Sequence, residues 1–181
     1  ENGKCSLGEA IFAANAGTPK DSCAAGLPDE TVIELMPGEY HFTQRDQTPP
    51  QVEWMVSVVS VGDALPPIIR PLIIHGNGAK LIRDDSAEPF RFFELMFGTL
   101  TLQNLTIQGG NVGEDWGGAI YSMNGSVNLD DVHFLNNTAE NGGAVYFNLG
   151  ALTVRNSEFI GNHASRGGAA LFIDSSRAVI E

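Results

Sequence analysis

Residues 117–166 decide the fold. They read GGAIYSMNGSVNLDDVHFLNNTAEN followed by GGAVYFNLGALTVRNSEFIGNHASR. The two stretches share Gly, Gly, Ala, Tyr, Gly, Phe, Asn and Ala at equivalent places. Gly-Gly-Ala starts at Gly117, Gly142 and Gly167, a beat of 25 residues. A degenerate unit, GTLTLQNLTIQGG, precedes them at residues 98–110, with Gly98 matching Gly125 and Gly150. A fixed period of this size marks a repeat architecture in which each unit stacks on the next.

Inside each unit the apolar residues alternate. Leu100, Leu102, Leu105 and Ile107 are matched by Val127, Leu129, Val132 and Phe134, then by Leu152, Val154, Ser157 and Phe159. Period 2 means strand, with one face in and one face out. The alternation slips by one residue at Asn104, Asp131 and Asn156. These residue types tolerate left-handed backbone, so the slip reads as a corner. Each unit therefore holds about three short strands and three bends. It cannot bury its apolar face alone, but stacked coil on coil it can, with strands about 4.8 Å apart. The expected fold is all-β, a parallel β-helix of about 25 residues per coil. The third unit, GGAALFIDSSRAVIE, brings Ala178 and Ile180 into the inward columns only with one extra residue. It stops mid-coil at Glu181, which reads as a fragment or as an open, adhesive edge.

Upstream, Ser6-Leu-Gly-Glu9 is a capping box, and residues 10–14 favour a helix that Gly17 closes. This short helix reads as the cap of the solenoid. Cys5 and Cys23 would staple it if they form a disulfide; the alternative is two free thiols in a cytosolic protein. The bridge is preferred because no His or Cys partner stands at metal spacing, and it implies an oxidising compartment. The expected organisation is a single β-helix domain over residues 1–181. It divides into a stapled cap at 1–30, a first coil at 31–43, an excursion at 44–67, and regular coils at 68–181 with the last incomplete.

Composition narrows the function. Against 10 bases stand 22 acids, a formal charge of −12, so the chain should repel nucleic acid and anionic membrane surfaces. A hydrophobic share of 43% excludes a disordered acidic tail, and no uncharged apolar run reaches membrane-spanning length. The 21 glycines lack a Gly-X-Y period, which excludes collagen.

CSLGEAIFAAN at residues 5–15 resembles the Cys-Ser-Leu-Arg-Glu-Ala-Ile signature that opens many secreted bacterial β-helix proteins, with Gly8 where Arg is usual. TVIELMPGEYHF (31–42) and IIHGNGAKLIRD (73–84) resemble the first two coils of pectate-lyase-like β-helices. GGAIY, GGAVY, FLNN and FIGN are similar to polymorphic outer-membrane protein repeats. The resemblance implies a right-handed coil and a secreted or cell-surface location. It implies little about activity, because one coil carries adhesins, passengers and polysaccharide enzymes.

Stacking predicts outward columns. Gln103, Asp130 and Arg155 form one, and Thr106, His133 and Glu158 another, so Asp130–Arg155 and His133–Glu158 should be neighbours. The functional reading is an acid/base patch, with Glu158 poising His133 for proton transfer and Arg155 holding a sugar carboxylate or oxyanion. The plainer reading, cross-strand charge pairing that stabilises the stack, carries more weight. Asp131, at a corner, should point away from Asp130. Trp54 and Trp116 lie in excursions and are candidates to stack on sugar rings, or to anchor their own loops.

No cofactor is indicated. Calcium-dependent lyases of this fold cluster acids, whereas the column here reads Gln103, Asp130, Arg155, with no acid ladder. Asp84, Asp85 and Glu88, or Glu114 and Asp115, could meet a hard cation, but solvated acids account for them. His41, His75, His133 and His163 fall in different coils or columns, which speaks against a metal site. The leading expectation is an adhesin- or passenger-like segment that binds carbohydrate or another surface through its flank. The alternatives are a polysaccharide lyase or glycoside hydrolase, and a homo-oligomer that stacks through open coil ends.

Overall fold

The computed structural model describes residues 3–46 and 62–181. Among the described residues a single helix, α1 (Leu7–Ala16), precedes the strands β1 (Thr31–Glu34), β2 (Glu39–Phe42), β3 (Leu72–Arg83), β4 (Phe93–Leu95), β5 (Thr99–Gln108), β6 (Ile120–Met123) and β7 (Ser126–Leu135). There follow β8 (Thr138–Asn141), β9 (Val145–Asn148), β10 (Ala151–Arg155), β11 (Glu158–Ile160), β12 (His163–Gly167), β13 (Leu171–Asp174) and β14 (Arg177–Ile180). All the ladders between these strands are parallel, and apart from β2 on β3 none joins strands next to each other in sequence. The long sheet runs β1-β3-β5-β7-β10-β14, with β2 on β3 and β11 on β7; β4-β6-β9-β13 and β8-β12 form the other faces. This is a parallel β-solenoid of about four turns and about 26 residues per turn.

The strand register shows why the alternation was readable. Leu72, Leu100, Val127, Leu152 and Ala178 are successive partners, 28, 27, 25 and 26 residues apart. Leu81, Ile107, Phe134 and Phe159 form a second inward column, fully buried as far as Phe134. One continuous core runs from Leu7 to Val154. The expected corners are in place: Asn104, Asp131 and Asn156 have φ of 48°, 56° and 49°.

The Gly-Gly pairs do two different jobs. Gly117 and Gly142 turn at φ 67° and 64°, while a Cβ on Gly118 or Gly143 would lie 2.3 or 2.2 Å from a carbonyl oxygen of the next coil. The third pair corrects the sequence reading by one residue. Gly168, not Gly167, has the turning φ of 64°, because the register of β12 on β8 shifts between Ala164 and Gly167. The extra residue thus enters before the Gly-Gly-Ala motif, and Ala178 and Ile180 then fall opposite Leu152 and Val154.

The cap forms as the capping box requires. The Ser6 N–H donates to Glu9 Oε2 at 2.9 Å and the Glu9 N–H to Ser6 Oγ at 3.3 Å. Gly17 ends the helix at φ 66°. Leu7, Ile11 and Ala14 close the solenoid core, and Cys5 and Cys23 are joined by a disulfide. The excursion is described only at its ends, 44–46 and 62–67, where Leu65 enters the core; Trp54 lies outside the described residues. Among the described residues no helix is long and apolar enough to cross a membrane.

Candidate functional site on the solenoid wall

The two outward columns form as expected, with Gln103, Asp130 and Arg155 in register and Thr106, His133 and Glu158 beside them. His133 Nδ1 lies 3.3 Å from Glu158 Oε2, and its Nε2 lies 3.5 Å from Asp131 Oδ1. Asp131 thus directs its carboxylate to His133 while Asp130 meets Asn156, so the two acids point differently, as expected of a corner.

Asp130 and Arg155 are neighbours in register but do not form an ion pair among the described residues. Arg155 Nε reaches the other way, to Glu181 Oε2 at 2.8 Å, and Asp130 Oδ1 accepts from Asn156 Nδ2 at 2.9 Å. A side chain in a stacked column has a neighbour on both sides, and the long guanidinium chose the far one. The patch is open to solvent, with side-chain exposures of 39% for His133, 58% for Glu158 and 50% for Arg155, so its ion pairs add little stability.

The same pairing of histidine with a carboxylate on the adjacent coil occurs twice more. His75 Nδ1 lies 2.6 Å from Glu34 Oε1, and His41 Nδ1 lies 2.7 Å from Asp84 Oδ1. Asp84 holds His41 above its ordinary value, chiefly through that hydrogen bond. Hydrogen bonds from Asn77 and His75 lower Glu34. These pairs were hidden in the sequence, because the excursion at 44–67 conceals the register between the first coils.

A buried ionic cluster was also missed. Arg91 is 1% exposed, and its Nε lies 2.9 Å from Asp63 Oδ1. The guanidinium also pairs with Asp115, donates to the Trp116 carbonyl at 2.7 Å, and sits 5.0 Å from the centre of the Tyr121 ring. Burial pushes the Asp63 carboxyl well above the usual carboxylate range, and neighbouring Glu94 pushes it the same way against the pull of Arg91. Burial also carries the Tyr121 hydroxyl up to about 12, so it stays neutral. One arginine thus clips residue 63 and the loop before β6 to the coil. The visible signal was a lone charge inside the apolar run Phe90-Arg91-Phe92-Phe93.

Trp116 packs on this wall. Its ring stacks on Tyr146 with centroids 4.8 Å apart, and its Nε1 donates to Glu140 Oε2 at 3.1 Å. Tyr121, Tyr146 and Phe172 continue the stack at 5.5 and 5.4 Å.

Among the described residues two cavities stand out, and none of Asp130, His133, Arg155 or Glu158 lines either. A largely apolar one of about 940 Å³ lies against the cap, between Leu7, Ile33, Tyr40 and Phe42. A polar groove of about 500 Å³ lies at a corner near His41, Gln108 and Asn136. Among the described residues no three His, Cys, Asp or Glu side chains are placed to hold a metal ion.

The comparisons with known proteins bear on one segment. Residues 131–148 are similar to the Chlamydia polymorphic membrane protein repeat. No curated protein and no solved structure matches the chain. The matched segment runs from the Asp131 corner to the end of β9, and the structure gives its motif a physical basis. The Asn of Phe-Leu-Asn-Asn, Asn137, is fully buried. Its Oδ1 accepts from the Gly110 N–H at 2.9 Å, and its Nδ2 donates to the Ile107 carbonyl at 3.1 Å and to Asn162 Oδ1 at 3.0 Å. The Phe and Asn of the repeat are thus internal ladders, and the residues between them face outward. Repeat and solenoid together fit a β-helix of the polymorphic membrane protein type.

Proposed function

We propose that this chain is a segment of a secreted, surface-displayed β-helix of the passenger type, and that its long flank makes the contact with carbohydrate or another surface. The observation that carries the reading is the match of residues 131–148 to a surface-protein repeat, on a coil whose turns reproduce that motif. The disulfide between Cys5 and Cys23 supports an oxidising location. The exposed row of His133, Glu158 and Arg155 supports contact through the wall, since a solenoid flank offers an extended binding face. A row that is open to solvent and lines neither described cavity favours adhesion over catalysis.

The test is adherence. Beads coated with the chain should bind polysaccharide-coated or cell surfaces, and the double variant His133→Ala/Glu158→Ala should reduce that binding. Adherence unchanged by the double variant would remove the wall from the account. Turnover of a polysaccharide that the double variant abolishes would replace adhesion with catalysis.

A further inference from the structure

We propose that the polar groove at the corner of the solenoid is a binding site for a neutral pyranose unit. This rests on the reading that the flank binds carbohydrate, and it names a different place and a ligand class. The groove encloses about 500 Å³, within the range of small-molecule pockets. Ile82, Gln108 and Leu135 stand in register on successive coils, and the chain then turns at Gly109 and Asn136, with φ of 77° and 54°. Gln108 and Asn136 thus come together with Thr138 and Asp85, although the coils that carry them are far apart in sequence.

Three observations define the ligand. First, the hydrogen-bonding capacity is unspent: Asp85, Gln108, Asn136 and Thr138 make no side-chain hydrogen bond among the described residues. Elsewhere on the wall, His75 and His133 have already found carboxylates. Second, the groove disfavours anions. Its arginine, Arg83, is consumed by the carbonyls of Gly109, Asp84 and Ala87 at 2.7, 3.2 and 2.6 Å. His41 is tied to Asp84 at 2.7 Å, and Asp85 adds a further negative charge. Uronate, sulfate or phosphate groups would meet carboxylates with no free guanidinium to offset them.

Third, the lining mixes donors with acceptors. Carboxamides and a hydroxyl offer both, as sugar hydroxyls require, whereas an ammonium ion only donates. The ion pair of His41 and Asp84 holds one acceptor in place at the rim, so less ordering is needed on binding.

The test is an NMR titration of the isotope-labelled chain with methyl pyranosides of mannose, glucose and galactose, and with galacturonate and glucosamine for comparison. The expected result is that a neutral pyranoside shifts the Gln108, Asn111, Asn136 and Thr138 signals at millimolar concentration. Gln108→Ala and Asn136→Ala should each weaken binding about fivefold, the loss of one neutral hydrogen bond. An unchanged amide spectrum away from the groove would show that both variants are folded. No response to any neutral pyranoside overturns the proposal, as does a response to galacturonate or glucosamine alone. Shifts confined to His133 and Glu158 overturn the groove while leaving the flank reading in place. Adherence unchanged by His133→Ala/Glu158→Ala, with groove binding intact, would do the reverse.

Discussion

Phe134 and Phe159 stack ring on ring across adjacent coils, with centroids 4.9 Å apart and planes 7° from parallel. Phe134 is fully buried, so its ring joins one turn of the solenoid to the next. Phe134→Ala removes that ring and leaves a cavity, which should cost about 3–5 kcal/mol. Urea unfolding should show a lower midpoint with an unchanged slope. A cost under about 1 kcal/mol would mean that the ring is not in the core.

Asn137 tests the polar ladder independently. Asn137→Ala leaves the Gly110 N–H and the Ile107 carbonyl without the partners they now have inside the coil. Each buried, unpaired group costs about 1–3 kcal/mol, so the variant should lose more stability than a typical surface substitution. Amide exchange at Gly110 should accelerate before global unfolding. Unchanged protection there would contradict the ladder.

The Arg91 cluster yields a prediction with a sign. Arg91→Ala strands Asp63 and Asp115 and should cost about 3–5 kcal/mol. Asp63 in the folded chain is raised above its ordinary 3.8. Its contribution is therefore fully present below that value and is lost as the pH rises through the folded one. Asp63→Asn removes this titration, so the melting temperature should fall less steeply over the same window. An equal or steeper fall would rule out Asp63 as its source.

His41 gives a direct titration. It is raised above 6.5, first by its hydrogen bond to Asp84. The stability it contributes is present below 6.5 and is lost as the pH rises through its folded value. The imidazole NMR signals should show a midpoint above 6.5, and Asp84→Asn should bring it down. A midpoint indifferent to that substitution would break the pair.

The coil was legible because each inward position is set by a two-residue period and each corner by a residue that accepts left-handed backbone. Leu102, Leu129 and Val154 mark the first, and Asn104, Asp131 and Asn156 the second. A count of residues cannot see a bulge, so the slip beside Gly167 was assigned to the wrong place. Site geometry was less legible. Arg155 sits beside Asp130 as the column requires, yet bonds Glu181, because register fixes neighbours and not rotamers. The partners of Arg91 were not legible for another reason: Asp63 arrives from the excursion and Asp115 from a loop, and neither follows the repeat.

Surface display is the central claim, and it can be measured on cells. Glu158→Cys places a thiol on the exposed wall of a chain whose own cysteines are paired. With that variant expressed in the source cells, a membrane-impermeant maleimide should label intact and lysed cells equally. Labelling only after lysis would contradict the account.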